Sequence, residues 1–277
     1  MPKSVKKVRK LKVLKSKRKI GPGCPLYRCR ITCLGDYFNT LNSSLRSGGS
    51  FWFRGNANWK FRLTPSALRY NTPRKRNKAL GLLGDFKRYG EIKLPNLPSP
   101  NEKLKWVQLA QHYGLPTRLL DWTKNAAIAL YFACLKPQNE KDNEDTDGAV
   151  IILNPTDLNR EANPKKARVF NLEFDEDKIN EYLELDGKKK NSGLKTIAIE
   201  PVWNSERIML QQGVFTLHGS RFTLTEKQAP GLIYLRIKSE YKSELLNELE
   251  RTGINEMAIF PEPEHMCRYL KWRESLL

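Results

Sequence analysis

The sequence predicts a single α+β domain behind a basic N-terminal arm. Three observations carry this. Strand-like and helix-like apolar segments alternate without the regular βαβ rhythm of a doubly wound sheet, and no internal repeat is visible. Residues 1–20 hold ten Lys or Arg and no acid, too little apolar surface and too much like charge to fold alone. Residues 99–136, SPNEKLKWVQLAQHYGLPTRLLDWTKNAAIALYFACLK, concentrate helix, strand and turn signals in one stretch. The organisation expected is an arm over 1–24 and one domain over 25–277.

In the central stretch, Ser99, Pro100 and Glu102 form a capping box with proline at the first helical position. Leu104, Val107 and Tyr113 recur at helical spacing, and Gly114 and Pro116 close the helix. Thr117–Trp122 reads as a short strand. Asp121 or Thr123 is expected to cap the following helix, which runs to about Leu135 and is apolar on every side, hence buried. His112, Arg118, Asp121, Trp122 and Thr123 are then expected around a helix N-terminus, a place that attracts anions.

The other elements follow in chain order. Ile31, Leu34, Tyr37, Phe38, Leu41 and Leu45 predict a helix within 27–46, broken by Ser47-Gly48-Gly49. SFWFR at 50–54 reads as a strand ended by Gly55. Thr64-Pro65 opens a helix through Arg69, and a further helix is expected around Leu80–Tyr89, after the basic TPRKRNK and before the rigid connector LPNLPSP. QNEKDNEDTDG is an acidic loop, and AVIIL at 149–153 is a buried strand. Residues 155–194 read as irregular, with one helix near Ile179–Leu185 and a turn at GKKKNSG. Strands are expected at Ile197–Trp203, in VFTLHG after Gly213, at Leu232–Ile237 and at Met257–Phe260. Helices are expected at Glu240–Arg251, closed by Gly253, and from Pro261 onward. Ser205–Gln212 stays ambiguous.

A formal charge of +19 points to a polyanionic partner, nucleic acid before an anionic membrane surface, against the plainer reading of a solubilising tail. No stretch approaches the roughly 20 apolar residues that span a bilayer. The basic start lacks the apolar run of a secretory signal, and the five cysteines are an odd set, so a reduced, cytoplasmic setting is expected. Cys24, Cys29 and Cys33 lack a C-x-x-C pair, so no metal is expected. G-x-x-x-x-G-K and H-E-x-x-H are absent, which argues against nucleotide triphosphatase and zincin chemistry.

FWFRG at 51–55, LAQHYGLPTRLLDWT at 109–123 followed by NAAIALYFAC, QQGVFT at 211–216 and IFPE at 259–262 together resemble the FRG-domain family. Some members of that family are associated with toxin–antitoxin and phage-defence loci. The same blocks resemble, more faintly, the ADP-ribosyltransferase fold. Phe53-Arg54-Gly55 matches its first-strand motif and Leu120–Thr123 leading into NAAIALYFA its second, while SERIMLQQGVF stands at the place of its third and departs from it. Counting back from Gly213, Arg207 stands where that family places its catalytic Glu, with Glu206 beside it.

The resemblance implies ADP-ribosyltransferase-like sheets with packed helices. It also implies NAD as donor substrate and a nucleic-acid acceptor, RNA first, with an antitoxin or regulatory protein as a further partner. It carries catalytic roles onto Arg54, Thr123, Glu206 and Gln212, and NAD contacts onto Phe53, Arg54, Gly55, His112, Asp121, Trp122 and Thr123. Chemically, Arg54 suits a phosphate, Gly55 leaves backbone for the nicotinamide amide, Thr123 suits the ribose, and Trp52 or Trp122 offers a stacking face. Plainer roles compete: Arg54 as ion-pair partner of Asp121, His112 as a capping or core residue, Asp121 as an N-cap, Gln211 and Gln212 as turn residues. A non-catalytic nucleic-acid-binding or nucleotide-sensing module is the alternative function, and a metal-independent nuclease the third.

Overall fold

The computed structural model describes residues 26–27, 30–45, 48–137, 146–165, 167–185, 193–202, 205–219, 222–274 and 276. The basic arm, most of the acidic loop and all but Gly193 of the GKKKNSG turn lie outside the described residues. The fold is mixed α+β around one seven-stranded sheet in the order β1-β7-β4-β2-β3-β6-β5. Its strands are β1 (Leu26–Tyr27), β2 (Trp52–Asn56), β3 (Leu119–Thr123), β4 (Gly148–Leu153), β5 (Ile197–Ile199), β6 (Gly213–Leu217) and β7 (Ile233–Ile237). β1 pairs with β7 in parallel, and every other pairing is antiparallel.

The helices are α1 (Leu34–Ser44), α2 (Pro73–Lys93), α3 (Lys103–His112), α4 (Ala126–Cys134), α5 (Pro155–Ala162), α6 (Leu172–Leu183), α7 (Glu206–Leu210), α8 (Ser239–Arg251), α9 (Glu256–Ile259) and α10 (Pro263–Arg273). α1, α4 and α8 cover one half of a sheet face, packing Tyr37, Leu41, Ile128, Leu130 and Leu245 on Phe53, Val150 and Leu235. α3 and α6 cover the other half, packing Leu104, Val107, Ile179 and Tyr182 on Leu119, Ile197, Phe215 and Leu217. Side chains alternate along strands, so Trp52, Leu120, Trp122, Ile151 and Val214 form a separate core on the opposite face.

The seam between the two halves lies at β2 and β3. β2 pairs with β4 through five residues and β3 with β6 through five, but β2 and β3 meet at the single pair Phe53–Thr123. The sheet is therefore split along that seam. On the α-helical face the split opens between α4 and α3.

Gly55 explains how closely α4 lies on β2. A Cβ at this position would stand 2.0 Å from the Ala129 carbonyl oxygen and 2.6 Å from the Ala133 nitrogen. Only glycine admits that approach. Gly55 thus sits inside β2 and does not end it, contrary to the sequence reading. Gly114 behaves as expected: with φ +83° it closes α3, and the Leu115 N–H bonds the Ala110 carbonyl at 2.9 Å.

Several boundaries differ from the sequence reading for identifiable reasons. α3 starts at Lys103, because Ser99-Pro100 forms a preceding turn in which the Glu102 carboxylate accepts from the Ser99 N–H at 2.7 Å. α4 is capped by Asn125, whose Oδ1 accepts from Ala127 and Ile128, and not by Asp121 or Thr123. Ser66–Leu68 is only a 3₁₀ turn, since Pro65 offers no capping side chain. α2 absorbs the basic cluster, because Thr72 caps it and Pro73 occupies its first position. α5 and α6, each opened by an asparagine cap, fill a region read as mostly irregular. Residues 256–259 form a helix where a strand was expected, capped by Asn255; four residues are too few for periodicity to decide. α1 begins only at Leu34, capped by Cys33, and α10 at Pro263. β5 stops at Ile199, well short of Trp203.

Among the described residues no helix is long and apolar enough to cross a membrane.

Candidate functional site

A cavity of about 290 Å³ occupies the split. Its floor is made by strand residues that share one face, Phe53 and Gly55 of β2, Asp121 and Thr123 of β3, Gly213 and Phe215 of β6. Phe132 of α4 forms one wall. Gln108, Gln111 and His112 of α3 form the second, their spacing of three and four residues placing them on one helix face. Ser205, Arg207, Ile208 and Gln211, in and around α7, form the third. The lining is thus aromatic at the floor and rich in neutral amides above it.

Arg54 stands at the seam. Its Nη1 donates to the Asp121 backbone carbonyl at 2.5 Å and its Nε to Asn56 Oδ1 at 3.2 Å. The Asp121 carbonyl is one that a complete β2–β3 ladder would use. The guanidinium takes the place of the missing strand pairing at that carbonyl. Its side chain is 19% exposed, and the Asp121 carboxylate lies 4.0 Å away and is 65% exposed. Arg54 therefore reaches Asp121 mainly through the backbone, not as the buried ion pair the sequence left open. Burial lowers the Arg54 pKa, opposed by the Asp121 charge.

Thr123 is fully engaged. Its hydroxyl donates to the Gln211 carbonyl at 2.6 Å and accepts from the Asn125 N–H at 2.9 Å. It ties the β3–α4 turn to the α7–β6 turn, so its one proton is committed within the protein. The Asp121 carboxylate accepts from Gln111 Nε2 at 2.5 Å and otherwise faces solvent.

His112 is half-buried. Its Nε2 lies 3.7 Å from Glu262 Oε1, which also sits 3.4 Å from Arg207 Nη1. Burial, reinforced by Arg207 and opposed by Glu262, lowers the His112 pKa. Arg207 in turn lies over the Phe260 ring at 4.6 Å. The IFPE block thus reaches the cavity through Glu262.

Glu206 and Gln212 are exposed and do not line the cavity; Arg207 and Gln211 do. The helical turn of α7 sets residues 207 and 211 on one face, and Gln212 leaves the helix at φ +47°. Trp52 and Trp122 are core residues, 0% and 3% exposed; Trp122 also borders the cavity, as expected, but its ring packs in the core of the opposite sheet face, so neither offers a stacking face. Trp122 Nε1 donates to Thr216 Oγ1 at 3.0 Å, which bonds His218 Nε2 at 3.1 Å, while His218 Nδ1 pairs with the Phe222 carbonyl at 3.1 Å. Arg118 is buried at the far end of β3, on the His218 and Gly219 carbonyls. The α4 N-terminus does not face the cavity, and its amides are taken by Asn125. Among the described residues no group of three or more His, Cys, Asp or Glu is placed to hold a metal. Gln108, Gln111, Arg207 and Gln211 were not singled out as ligand contacts; the α3 triplet is legible as a polar stripe once 103–112 is drawn as a helix.

These features define an α+β domain whose mixed sheet is split over a polar, aromatic-floored cavity. Residues 49–142, from just before β2 to just beyond α4, match the FRG domain family, and the chain carries an FRG domain there. The match contains the FWFRG and LAQHYGLPTRLLDWT blocks. It assigns to that domain the two strands that flank the split and the helix that crosses them. No curated protein and no solved structure matches the chain.

Proposed function

We propose that the cavity binds NAD and that the protein transfers ADP-ribose from it to a nucleic acid. The observation that carries this reading is the split between β2 and β3, with an arginine at the seam and a carboxylate, Asp121, at the cavity mouth. The faint resemblance of these blocks to ADP-ribosyltransferases supports it. A volume of about 290 Å³ is at the small end of ligand sites. It suits the nicotinamide–ribose half of the dinucleotide, with the adenosine half along the mouth.

In this reading the bond between the ribose C1′ and the nicotinamide nitrogen breaks. Its electron pair leaves with nicotinamide, and positive charge builds on the ribose. Asp121, held by Gln111, replaces Glu206 as the group that stabilises that charge. A nucleophilic oxygen or nitrogen of the acceptor then bonds to C1′ and gives up its proton to solvent. Phe53, Phe132 and Phe215 receive the pyridine ring. Arg54, whose Nη2 makes no hydrogen bond to the described residues, holds the seam and offers a donor to a phosphate.

The nucleic-acid acceptor, RNA first, rests on the charge of +19. The toxin or defence setting and an antitoxin partner rest on the family resemblance. The test is incubation with NAD labelled in the adenylate moiety and separated RNA, DNA and protein. Label on nucleic acid, lost in Asp121→Asn and retained in Glu206→Gln, supports the reading. NAD binding without label transfer to any fraction favours a nucleotide-sensing module instead, which the high exposure of the Asp121 carboxylate would then explain.

A further inference from the structure

We propose that Gln108 and His112 form a carboxamide-recognition subsite that selects a nicotinamide head group over its acid and methyl-ketone analogues. The proposal rests on the NAD reading above and assigns the head-group contact to two side chains of α3. The Gly55 backbone, the sequence-based candidate for this contact, is pressed against α4, with the Ala129 carbonyl 2.0 Å from where its Cβ would stand.

Both residues line the cavity, one helical turn apart. Gln108 is 2% exposed, and its Oε1 accepts from the Val202 N–H at 3.3 Å. That bond fixes the amide orientation, since a flipped amide would set NH₂ against N–H. Its Nε2 is then a buried donor with no acceptor among the described residues. Buried donors of this kind are nearly always satisfied, so an orphan in a cavity wall points to a ligand acceptor.

His112 supplies the complement. Its Nδ1 is also buried and unpartnered among the described residues. The charged groups that face the ring are Glu262 and Arg207. Burial and Arg207 hold the ring neutral, and the single proton belongs on Nε2, which faces Glu262 at 3.7 Å. Nδ1 is left as an acceptor. The helix face therefore presents a donor and an acceptor one turn apart. A primary carboxamide is the matching group: its carbonyl accepts from Gln108 and its N–H donates to His112. A carboxylate has no N–H for His112. A methyl ketone keeps only the Gln108 contact.

The test measures calorimetric affinity of the full chain for NAD, for the dinucleotide with nicotinic acid, and for the one with 3-acetylpyridine. Wild type is expected to bind NAD about tenfold more tightly than either analogue, the factor one buried hydrogen bond supplies. Gln108→Met, close in volume, is expected to weaken NAD and the acetylpyridine form equally, about tenfold. His112→Phe is expected to abolish the preference for NAD over the acetylpyridine form. The ligand series on wild type decides alone if a variant fails to fold. Equal affinity for all three dinucleotides overturns the subsite and leaves the NAD reading standing. No binding of any of the three overturns the NAD reading and the subsite with it.

Discussion

Replacing Arg54 by alanine removes the side-chain bridge across the split. The variant loses the bond from Nη1 to the Asp121 carbonyl at 2.5 Å and that from Nε to Asn56 Oδ1 at 3.2 Å. Hydrogen bonds from a charged donor contribute about 1.5–3 kcal/mol each, and the longer one belongs at or below the weak end of that range. The ion pair adds little, about 0–1 kcal/mol, because its 4.0 Å contact involves a carboxylate that is 65% exposed. The desolvation Arg54 suffers is relieved on removal, which trims the total. The net cost is about 2–4 kcal/mol, or a fall in unfolding midpoint of about 5–15 °C for a domain this size. Asp121→Asn keeps the backbone carbonyl and is expected to stay within about 0.5 kcal/mol of the parent. Differential scanning calorimetry on both variants checks the pair. An unshifted midpoint in Arg54→Ala would refute the seam-bridging role and return Arg54 to the status of a free phosphate ligand.

Gly55→Ala places a methyl group 2.0 Å from the Ala129 oxygen and should destabilise by about 3 kcal/mol or more as α4 is forced off β2; a parental midpoint would contradict the close crossing. His218 is buried neutral, its pKa pushed down to about 3, chiefly by burial, with Arg118 and Arg54 as further causes. The unfolded chain, near 6.5, binds this proton first, so stability should be flat above that pH. It should then fall by up to about 1.4 kcal/mol per unit as the pH drops from 6.5 toward 3. Urea titrations at stepped pH on the parent and His218→Gln check this, and identical slopes would sink it. Deleting residues 1–20 should reduce the salt slope of single-stranded nucleic-acid binding by about 0.7 for each phosphate the arm had neutralised. An unchanged slope makes the arm a bystander.

The parts of the fold legible in the sequence are those where burial is complete or a turn demands one residue type. AVIIL is a buried central strand, α4 is apolar all round, and Gly114 and Gly253 close helices at positive φ. What escaped were elements defined by a single polar cap. Thr72, Asn125, Asn154 and Asn171 each open a helix that was missed, shortened or given another cap. Cap residues are equally at home in loops, so they discriminate only when a long periodic run follows; α6 is too charged to supply one, and α5, though amphipathic, spans only eight residues. The strand boundary at Gly55 failed for a different reason. Glycine there serves the neighbouring helix, and no local signal separates that from a turn.

The site follows the same logic. Phe53, Arg54, Gly55, His112, Asp121, Trp122 and Thr123 were legible because they sit in dense local motifs, and the fold brings all seven to the cavity. Their roles were not legible, because roles are set by partners distant in the chain. Thr123 donates its proton to the Gln211 carbonyl, 88 residues away, and Arg54 commits its Nη1 to the Asp121 carbonyl. The third motif was read as if its acidic residue had to point inward. Helical geometry in α7 decides otherwise: Ser205 caps a single turn, residues 207, 208 and 211 face the cavity, and 206 is carried to solvent. A cation and an amide thus occupy the wall where a carboxylate was sought. The negative charge near that wall comes instead from Glu262 of the closing block, which Arg207 and His112 share. The one carboxylate among the described residues lining the cavity is Asp121. In the proposed reaction the developing charge therefore falls to Asp121 from β3, with α7 shaping and charging the wall.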